Sequence, residues 1–490
     1  TDGTIVECKY DATRPEDWRF IPIRIRHDKT AQYQNNIKNY GNAFHVAQSV
    51  WASIHNPISE HMISTGDEIS ADEVQISDIY YSRNSEKSYT IPMRNFHNLY
   101  VKRKLITSVS KPGNTLIDLA VGKAGDMSKW LDSKLKFVFG VDVAKDNIEN
   151  RLDGACARYL SKKAESYRMF DALFIQGNSS QNLKDGTGIE NEQYKQIMNA
   201  VYGKGPKDES ILGRGVYKKY GIVEEGFNVV SCQFALHYFF ESVDTLMNFV
   251  TNVSQNCKLG GYFIGTCYDG RKVFQALKRH EMGQKVSKFI KGKKVFEITK
   301  QYSSKDFPRN SESLGMGIDV YQETINNVFR EYLVNFDYFK DVMELFGFDV
   351  ISIDEARDIG LPSGINNFEV LYESMKNEIK HELSATSQRR SRTKGIVKNA
   401  VHMDKTPELE YISYLNNYFV FVKNRNVDPL TITRQALGMK DIPDVPGEGN
   451  TDEPKITVEE GEGPKPMMKI KKRAVKKGMK LGKIKIKKKT

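Results

Sequence analysis

Long apolar runs are missing from this 490-residue chain. No window comes near eighteen uninterrupted apolar residues, so no membrane-spanning helix is expected. The N-terminus has no basic-then-apolar signal pattern. It has no methionine either: the chain opens at Thr1 inside what reads as a strand, which fits the C-terminal part of a longer polypeptide. Cysteine is scarce. The five present, Cys8, Cys156, Cys232, Cys257 and Cys267, form no CxxC pair and are odd in number. That argues against a zinc site or a disulfide framework and for a reducing compartment, and no metal is expected. Acid is missing from the end of the chain. Lys465 to Thr490 hold thirteen Lys or Arg and no Asp or Glu, so the formal net charge of +11 resides in that tail and the remainder carries −2. Bulk charge therefore does not make the body a nucleic-acid binder.

What is there reads as an α/β protein. Thr4–Tyr10 and Phe20–Arg26 alternate like short strands, and Val46–Ile54 has a helical pattern. From about 112 to 270, apolar runs at Thr115–Val121, Lys136–Val143, Met169–Gln176, Phe227–Cys232 and Tyr262–Cys267 are separated by helical segments. That rhythm predicts βαβ units and a mostly parallel sheet covered on both faces. Further strands are expected within 295–350 and at 417–423, and a helix at Val334–Leu345. The segment 441–464 has eight acids, one Lys and four Pro, and reads as a disordered linker. The basic tail is of low complexity. It suits RNA phosphates, and equally a solvated localisation-type run.

One strand-to-helix loop carries chemistry. Asp118-Leu-Ala-Val-Gly-Lys-Ala-Gly-Asp126 follows the strand beginning at Thr115, and small residues there let backbone N–H groups approach a ligand. The next strand ends in Asp142, 20 residues past Gly122, the spacing of a carboxylate that accepts ribose hydroxyls. GxGxxG is absent, and so is the Walker pattern. A nucleoside without a pyrophosphate suits the loop better, S-adenosylmethionine being the commonest. On this loop alone, such a site and a plain Rossmann-like turn are equally supported.

Four segments in one order narrow the reading. Leu116-Ile-Asp-Leu-Ala-Val-Gly-Lys-Ala-Gly-Asp-Met-Ser-Lys-Trp130, Ser231-Cys-Gln-Phe-Ala-Leu-His-Tyr-Phe-Phe-Glu-Ser242 and Gly260-Gly-Tyr-Phe-Ile-Gly-Thr266 resemble motifs of eukaryotic and viral mRNA cap guanine-N7 methyltransferases. Arg94-Asn-Phe-His-Asn98 with Lys102-Arg-Lys-Leu-Ile106 resembles that family's opening motif, with one residue added. The resemblance spans about 91–425 and implies a class I AdoMet-dependent methyltransferase, Rossmann-like. Upstream, Trp18-Arg-Phe-Ile-Pro-Ile-Arg-Ile-Arg-His-Asp-Lys29 resembles the last motif of mRNA guanylyltransferases, at the end of their OB domain. That order is the order of the fused capping enzymes of large cytoplasmic DNA viruses. Lys9-Tyr-Asp-Ala-Thr-Arg14 only imitates a nucleotidyltransferase nucleophile motif: its glycine is missing and three residues separate it from Trp18. No guanylyltransferase activity is expected from this chain alone. The implied organisation is the end of an OB domain (1–45), a connector (46–90), the methyltransferase domain (91–425), an acidic disordered linker (426–464) and the Lys-rich tail (465–490).

The resemblance also assigns roles. Methyl transfer to guanine N7 is an in-line displacement on a free lone pair, so no general base is needed and every site residue is a positioning residue. Lys102 should meet the methionine carboxylate of AdoMet, and Asp118, Gly122 and Gln233 should shape its pocket. Asp142 should take the ribose. Asn178 stands where the family has an Asp facing the adenine amine; its side-chain oxygen can still accept. Asn228 likewise replaces an Asp, and Ala120, Val121 and Ala124 depart from the family's Gly-Cys-Gly. Phe234, His237 and Tyr238 should enclose the cap guanine, Glu331 should take its N1–H and N2–H, and Tyr418 should line the same pocket. Arg24, Arg26, Asp28 and Lys29 match guanylyltransferase residues that hold GTP phosphates. The ordinary alternatives are a solvated lysine for Lys102, a strand-end cap for Asp142 and a buried helix-start histidine for His237. For Glu331 the alternative is a surface helix acid, and for Tyr418 a core strand residue.

The implied partners are 5′-capped mRNA and the triphosphatase and guanylyltransferase domains upstream, with no membrane. The need for a small activating subunit stays open. The implied location is the host cytoplasm, in the viral factory, and packaging in the virion is compatible with it. Two rival functions remain at this point: a cap-holding module that no longer turns over, and a methyltransferase for another base.

Overall fold

The computed structural model describes residues 2–11, 13–36, 40, 41, 50, 88–166, 169–323, 325, 327–385 and 391–438. The helix expected at Val46–Ile54 lies almost wholly outside them, and the 441–464 linker and the 465–490 tail wholly so. The chain divides into two units, Thr1–Ile79 and Tyr80–Thr490.

In the first unit β1 (Val6–Tyr10) and β2 (Phe20–Ile25) form an antiparallel hairpin, as the alternation predicts, with a register shift at Glu7/Cys8. A helix that the sequence pattern did not announce, His27–Gln34, follows. Arg24 pairs with Glu7 at 2.9 Å, and Arg26 with Asp28 at 3.0 Å and Glu7 at 3.4 Å. Arg24 lies on β2, whereas Asp28 and Lys29 lie on the helix. Lys9 is an exposed strand residue.

The second unit is built on β3 (Thr115–Asp118), β4 (Phe137–Asp142), β5 (Asp171–Gln176), β6 (Phe227–Gln233) and β7 (Cys257–Tyr268), all parallel in the order β7-β6-β3-β4-β5. A second, antiparallel sheet has the order β11-β10-β9-β8, from β8 (Lys285–Ile290), β9 (Lys293–Gln301), β10 (Gly317–Gln322) and β11 (Asn327–Tyr332). β12 (Phe348–Val350), β13 (Ile365–Asn367) and β14 (Asn416–Lys423) complete the first sheet, β14 running antiparallel to β7. Successive strand residues face opposite sides. Leu116, Val138, Val229 and Ile264 enter one core, and Ile117, Phe139, Val230 and Phe263 enter the other. This double burial is why the strands read as continuous apolar runs, and each such side chain contributes roughly 1.5–3 kcal/mol.

The helix Val243–Asn256 shows how sequence sets boundaries here. Ser242 and Thr245 close a capping box at its start, and losing Ser242 would cost about 1 kcal/mol. At its end the buried Lys423 ammonium donates to the Ser254 and Cys257 carbonyls at 2.8 and 2.9 Å, completing orphan acceptors and meeting the negative end of the helix dipole. The helix Pro429–Ala436 packs on the same segment, with Thr251 Oγ1 2.6 Å from Thr433 Oγ1. The folded unit therefore continues past 425, and the linker expected from 426 begins with a docked helix. Its apolar residues Ile432 and Ala436 reach the core, which overrides the polar composition around them.

Candidate active site

The carboxyl ends of the parallel strands converge on one edge of the sheet, where ligands bind in open α/β folds. Asp118 ends β3, Asp142 ends β4 and Gln233 ends β6. The loop after β3 is drawn onto its neighbours by Leu119 N–H to Ser231 O (2.9 Å) and Val121 N–H to Val141 O (2.9 Å). Gly122 has φ +54°, which a side chain tolerates poorly, and its N–H donates to Asp142 Oδ2 at 2.7 Å. Ala124, in a family glycine position, has φ +53° and is fully buried, so its methyl lies in the core.

Asp142 carries out the capping role set against its ribose role. Besides Gly122 N–H it accepts from Ala144 N–H (3.0 Å) and Asn147 Nδ2 (2.9 Å). A carboxylate has about four acceptor sites, so a single one stays open for a ribose hydroxyl rather than two. Burial pushes its carboxyl up, opposed by those three donors. Asn178 is turned to its own loop, its Oδ1 accepting from Ser180 N–H at 2.9 Å. Asn228 lies at the far end of β6 and accepts from Thr115 N–H at 3.0 Å, so its substitution is remote from the site. Gln233 is buried and accepts from Thr266 Oγ1 at 3.2 Å.

Lys102 is no solvated lysine. It begins the helix Lys102–Val109 directly after the π-helical turn Phe96–Val101, a distortion common at functional sites. Its ammonium is 3.2 Å from Asp126 Oδ2, while Lys129, itself buried, is 2.9 Å from Asp126 Oδ1. Burial works against the Asp126 charge, but the two ammoniums outweigh it and hold the carboxyl at about 2. Asp118 goes the other way: burial, with the neighbouring Asp126 charge, pushes it up to about 7. Lys102 and Lys129 thus flank the ionised Asp126 at the end of the Gly122 loop, with Asp118 close enough to feel the Lys102 and Asp126 charges.

The second cluster begins at Phe234. Its φ is +57°, an expensive conformation for an aromatic residue, of order 1–3 kcal/mol, and such strain gathers at functional sites. Its N–H is held by Thr266 O at 2.8 Å, and its ring lies 5.5 Å from His97, 6.0 Å from Phe368 and 5.5 Å from the Lys102 ammonium. The short 3-10 helix Leu236–Phe240 then presents His237 and Tyr238, ring centroids 4.2 Å apart. Glu331 arrives from β11 of the other sheet, so it is neither on a helix nor at the surface; it is 5% exposed. Its Oε2 is 3.7 Å from His237 Nε2, beyond hydrogen-bond range. Burial pushes Glu331 up to about 8 and His237 down to about 3, which favours the neutral form of each. Glu331 Oε2 and both His237 ring nitrogens have no hydrogen-bond partner among the described residues.

Tyr418 lies on β14, paired with Thr266 of β7. It is fully buried, and its hydroxyl donates to Ser363 O at 3.0 Å and accepts from Ser363 N–H at 3.4 Å. It is a core strand residue whose polar atom is already engaged. Sequence reasoning missed Asp126, Lys129, His97 and Phe368. The first three lie inside the quoted motifs; Phe368 had no local signal, since only the fold brings it to Phe234. Among the described residues no cluster of His, Cys, Asp or Glu could hold a metal, all five cysteines are free thiols, and no helix is long and apolar enough to cross a membrane.

The chain is 27% identical over 458 residues to a "Probable mRNA-capping enzyme" of Acanthamoeba polyphaga mimivirus, covering 87% of this chain and 37% of that protein. It is 26% identical over 265 residues to an mRNA cap guanine-N(7) methyltransferase of Saccharomyces cerevisiae, covering 54% and 52%. It is 25% identical over 280 residues to mRNA cap guanine-N(7) methyltransferase 1 of Arabidopsis thaliana, covering 56% and 63%. The chain thus spans less than two thirds of the length of each of these relatives. The family model of the mRNA capping enzyme C-terminal domain matches residues 1–64. With the model of the mRNA (guanine-N(7))-methyltransferase domain matching residues 69–403, over this α/β fold, the chain belongs to the mRNA (guanine-N(7))-methyltransferase family.

Proposed function

We propose that this chain methylates N7 of the 5′ cap guanine of mRNA, converting GpppN-RNA to m7GpppN-RNA, as part of a multifunctional capping enzyme. The observation that carries the reading is the buried Glu331 carboxyl, its Oε2 without a hydrogen-bond partner among the described residues, facing His237 beside an aromatic wall. Leaving such a group without a partner is costly unless a ligand supplies one. Guanine offers two adjacent donors, N1–H and N2–H, which adenine does not. Phe234, His237 and Tyr238 would hold the base in the plane Glu331 reads.

The pocket on the other side fits S-adenosylmethionine. The Lys102 and Lys129 ammoniums suit an amino-acid carboxylate, and the Gly122 loop and Asp142 suit a nucleoside. When bound, that cofactor supplies an electrophilic methyl group. Lys102, kept in place by Asp126, would meet the carboxylate; Asp142 would take one ribose hydroxyl; Gln233, Asn178 and the Asp118 carboxyl would line the rest. The chain's work is alignment and exclusion of water. The N7 lone pair is free at neutral pH, and no side chain has to remove a proton.

The same reading gives residues 1–45 as the end of a guanylyltransferase OB domain, Arg24, Arg26, Asp28 and Lys29 belonging to its phosphate-binding motif. Residues 91 to at least 436 form the methyltransferase domain. Capped mRNA is the substrate, upstream triphosphatase and guanylyltransferase domains are the partners, and the host cytoplasm is the setting. A radiolabelled methyl-transfer assay on GpppA and ApppA tests it. Transfer to the guanine cap alone is expected. AdoMet binding without transfer would leave a cap-holding module, and equal transfer to both caps would remove the guanine-reading role of Glu331.

A further inference from the structure

We propose that the β8–β9 hairpin is the contact surface for the RNA chain that follows the cap, an inference that rests on the proposed function. From Lys285 to Lys300 the sequence holds six lysines and one acid, in a body whose overall charge is close to neutral. Glu297 serves two of these lysines, Lys285 at 3.2 Å and Lys294 at 3.1 Å, and Glu323 meets Lys293 at 3.6 Å. Lys288 and Lys291 meet no acid among the described residues, so the hairpin's end keeps its positive charge. Its ammoniums are also pinned. Lys288 lies 3.9 Å over the Tyr411 ring, Lys291 lies 5.8 Å over Tyr89, and Lys294 lies 4.7 Å over Tyr321. A lysine held over an aromatic face keeps its charge, and loses less side-chain freedom when it meets a phosphate. At the hairpin's end Phe289 is 52% exposed, between these cations. A positive track with an aromatic side chain is the recurring means of holding single-stranded nucleic acid without sequence preference.

Position supports the same partner. The hairpin and Glu331 belong to one sheet. The ladder runs from Glu331 to Ile318 to Lys300, and the adjacent row from Arg330 through Asp319 and Thr299 to Lys285. Three strand spacings, about 14 Å, separate β11 from β8, and Lys288 lies level with Asn327 through Phe296 and Gln322, four residues or about 13 Å along β11 from Glu331, so the hairpin's end is about 19 Å from the guanine-reading residue, a reach of a few nucleotides beyond the cap. Lysine on an edge strand also discourages pairing with other sheets. That role needs neither stacked ammoniums nor an exposed phenyl ring.

The test uses the full chain and two probes, the dinucleotide GpppA and a capped single strand of about 20 nucleotides, longer than the usual site size. The variants are Lys288→Gln with Lys291→Gln, and Phe289→Ala. On capped RNA, kcat/KM should fall on the order of tenfold, and the salt dependence of RNA affinity should flatten by about 1.4 for two lost phosphate contacts. Turnover on GpppA should stay within about twofold of normal. Unchanged values on both probes overturn the proposal. So does an equal loss on both, which would make the hairpin a support of the pocket, and so does self-association as the sole change. If the unaltered chain methylates neither probe, it is the proposed function that fails. The affinity of the same variants for uncapped RNA then decides the hairpin by itself.

Discussion

At pH 8 the Glu331→Gln protein should be more stable than the unaltered one and almost inactive. Burial raises the Glu331 carboxyl from 4.5 to about 8, while the unfolded chain ionises at the ordinary value. The stability this group contributes is complete below pH 4.5 and is lost as pH climbs towards 8, at about 1.4 kcal/mol per unit. The ceiling is about 5 kcal/mol. A glutamine has no such loss, so the melting curves of the two proteins should separate as pH rises from 5 to 8. His237, lowered by burial from 6.5 to about 3, acts in the opposite direction. Its contribution is complete above 6.5 and is lost as pH falls through 3. The two together put this pocket's most stable range between about pH 4.5 and 6.5. Chemistry wants something else, because only the carboxylate accepts both guanine donors. kcat/KM on GpppA should therefore rise about tenfold per unit from pH 6 and level off near 8. The amide keeps one acceptor and turns an NH₂ towards the guanine, so kcat/KM should drop on the order of 10²-fold and lose its pH dependence. Differential scanning fluorimetry, methyl transfer at saturating cofactor and calorimetry with AdoMet measure the three quantities, and AdoMet affinity should be unchanged. Near-normal turnover by the variant, or a flat pH profile in the unaltered protein, would refute the reasoning.

Three further outcomes are expected. Lys129→Met should weaken AdoMet about tenfold and leave its decarboxylated analogue unaffected, since Asp126, left with Lys102 alone, would then compete with the ligand carboxylate for that ammonium; equal weakening of both ligands in calorimetry would make Lys129 merely structural. Asp142→Asn should lower both AdoMet affinity, by about 2 kcal/mol, and melting temperature, because the carboxylate anchors Gly122 and Ala144 as well as the ligand; unchanged AdoMet affinity would leave it a cap only. A chain ending at residue 425 should be less stable than one ending at 438 by about 2 kcal/mol in urea unfolding, from lost burial of Ile432 and Ala436; equal midpoints would mean that the terminal helix does not contribute.

The parallel strands were legible because their two-sided burial writes itself into the chain as unbroken apolar runs. The positions of Lys102, Asp118, Asp142 and His237 followed from motifs with fixed spacing. What was not legible depends on the rest of the fold. Tyr418 sits in a strand pattern that does not say which face meets a pocket, and its hydroxyl found Ser363, fifty-five residues away in sequence. The helical alternative for Glu331 is removed by β10, which pairs with Asn327–Tyr332 as a strand. The terminal helix was hidden by the acidic stretch beyond it. Asp126 and Lys129 were in view but mute, since the meaning of a buried ion cluster comes from what surrounds it.

In the proposed function both ligands lean on the end of β6, but the residue that would choose the base stands apart from those that would hold the methyl donor. Asp118, Asp142 and Gln233 terminate parallel strands, whereas Glu331 hangs from an antiparallel sheet with its own ladder and its own edge. Descent could therefore rewrite one without disturbing the other. A lineage that kept the parallel strands and altered the residues of β10 and β11 would retain its methyl donor while trying out new acceptors. Laboratory libraries confined to those two strands have the same freedom, and survivors that still bind the donor can be sorted by the base they choose.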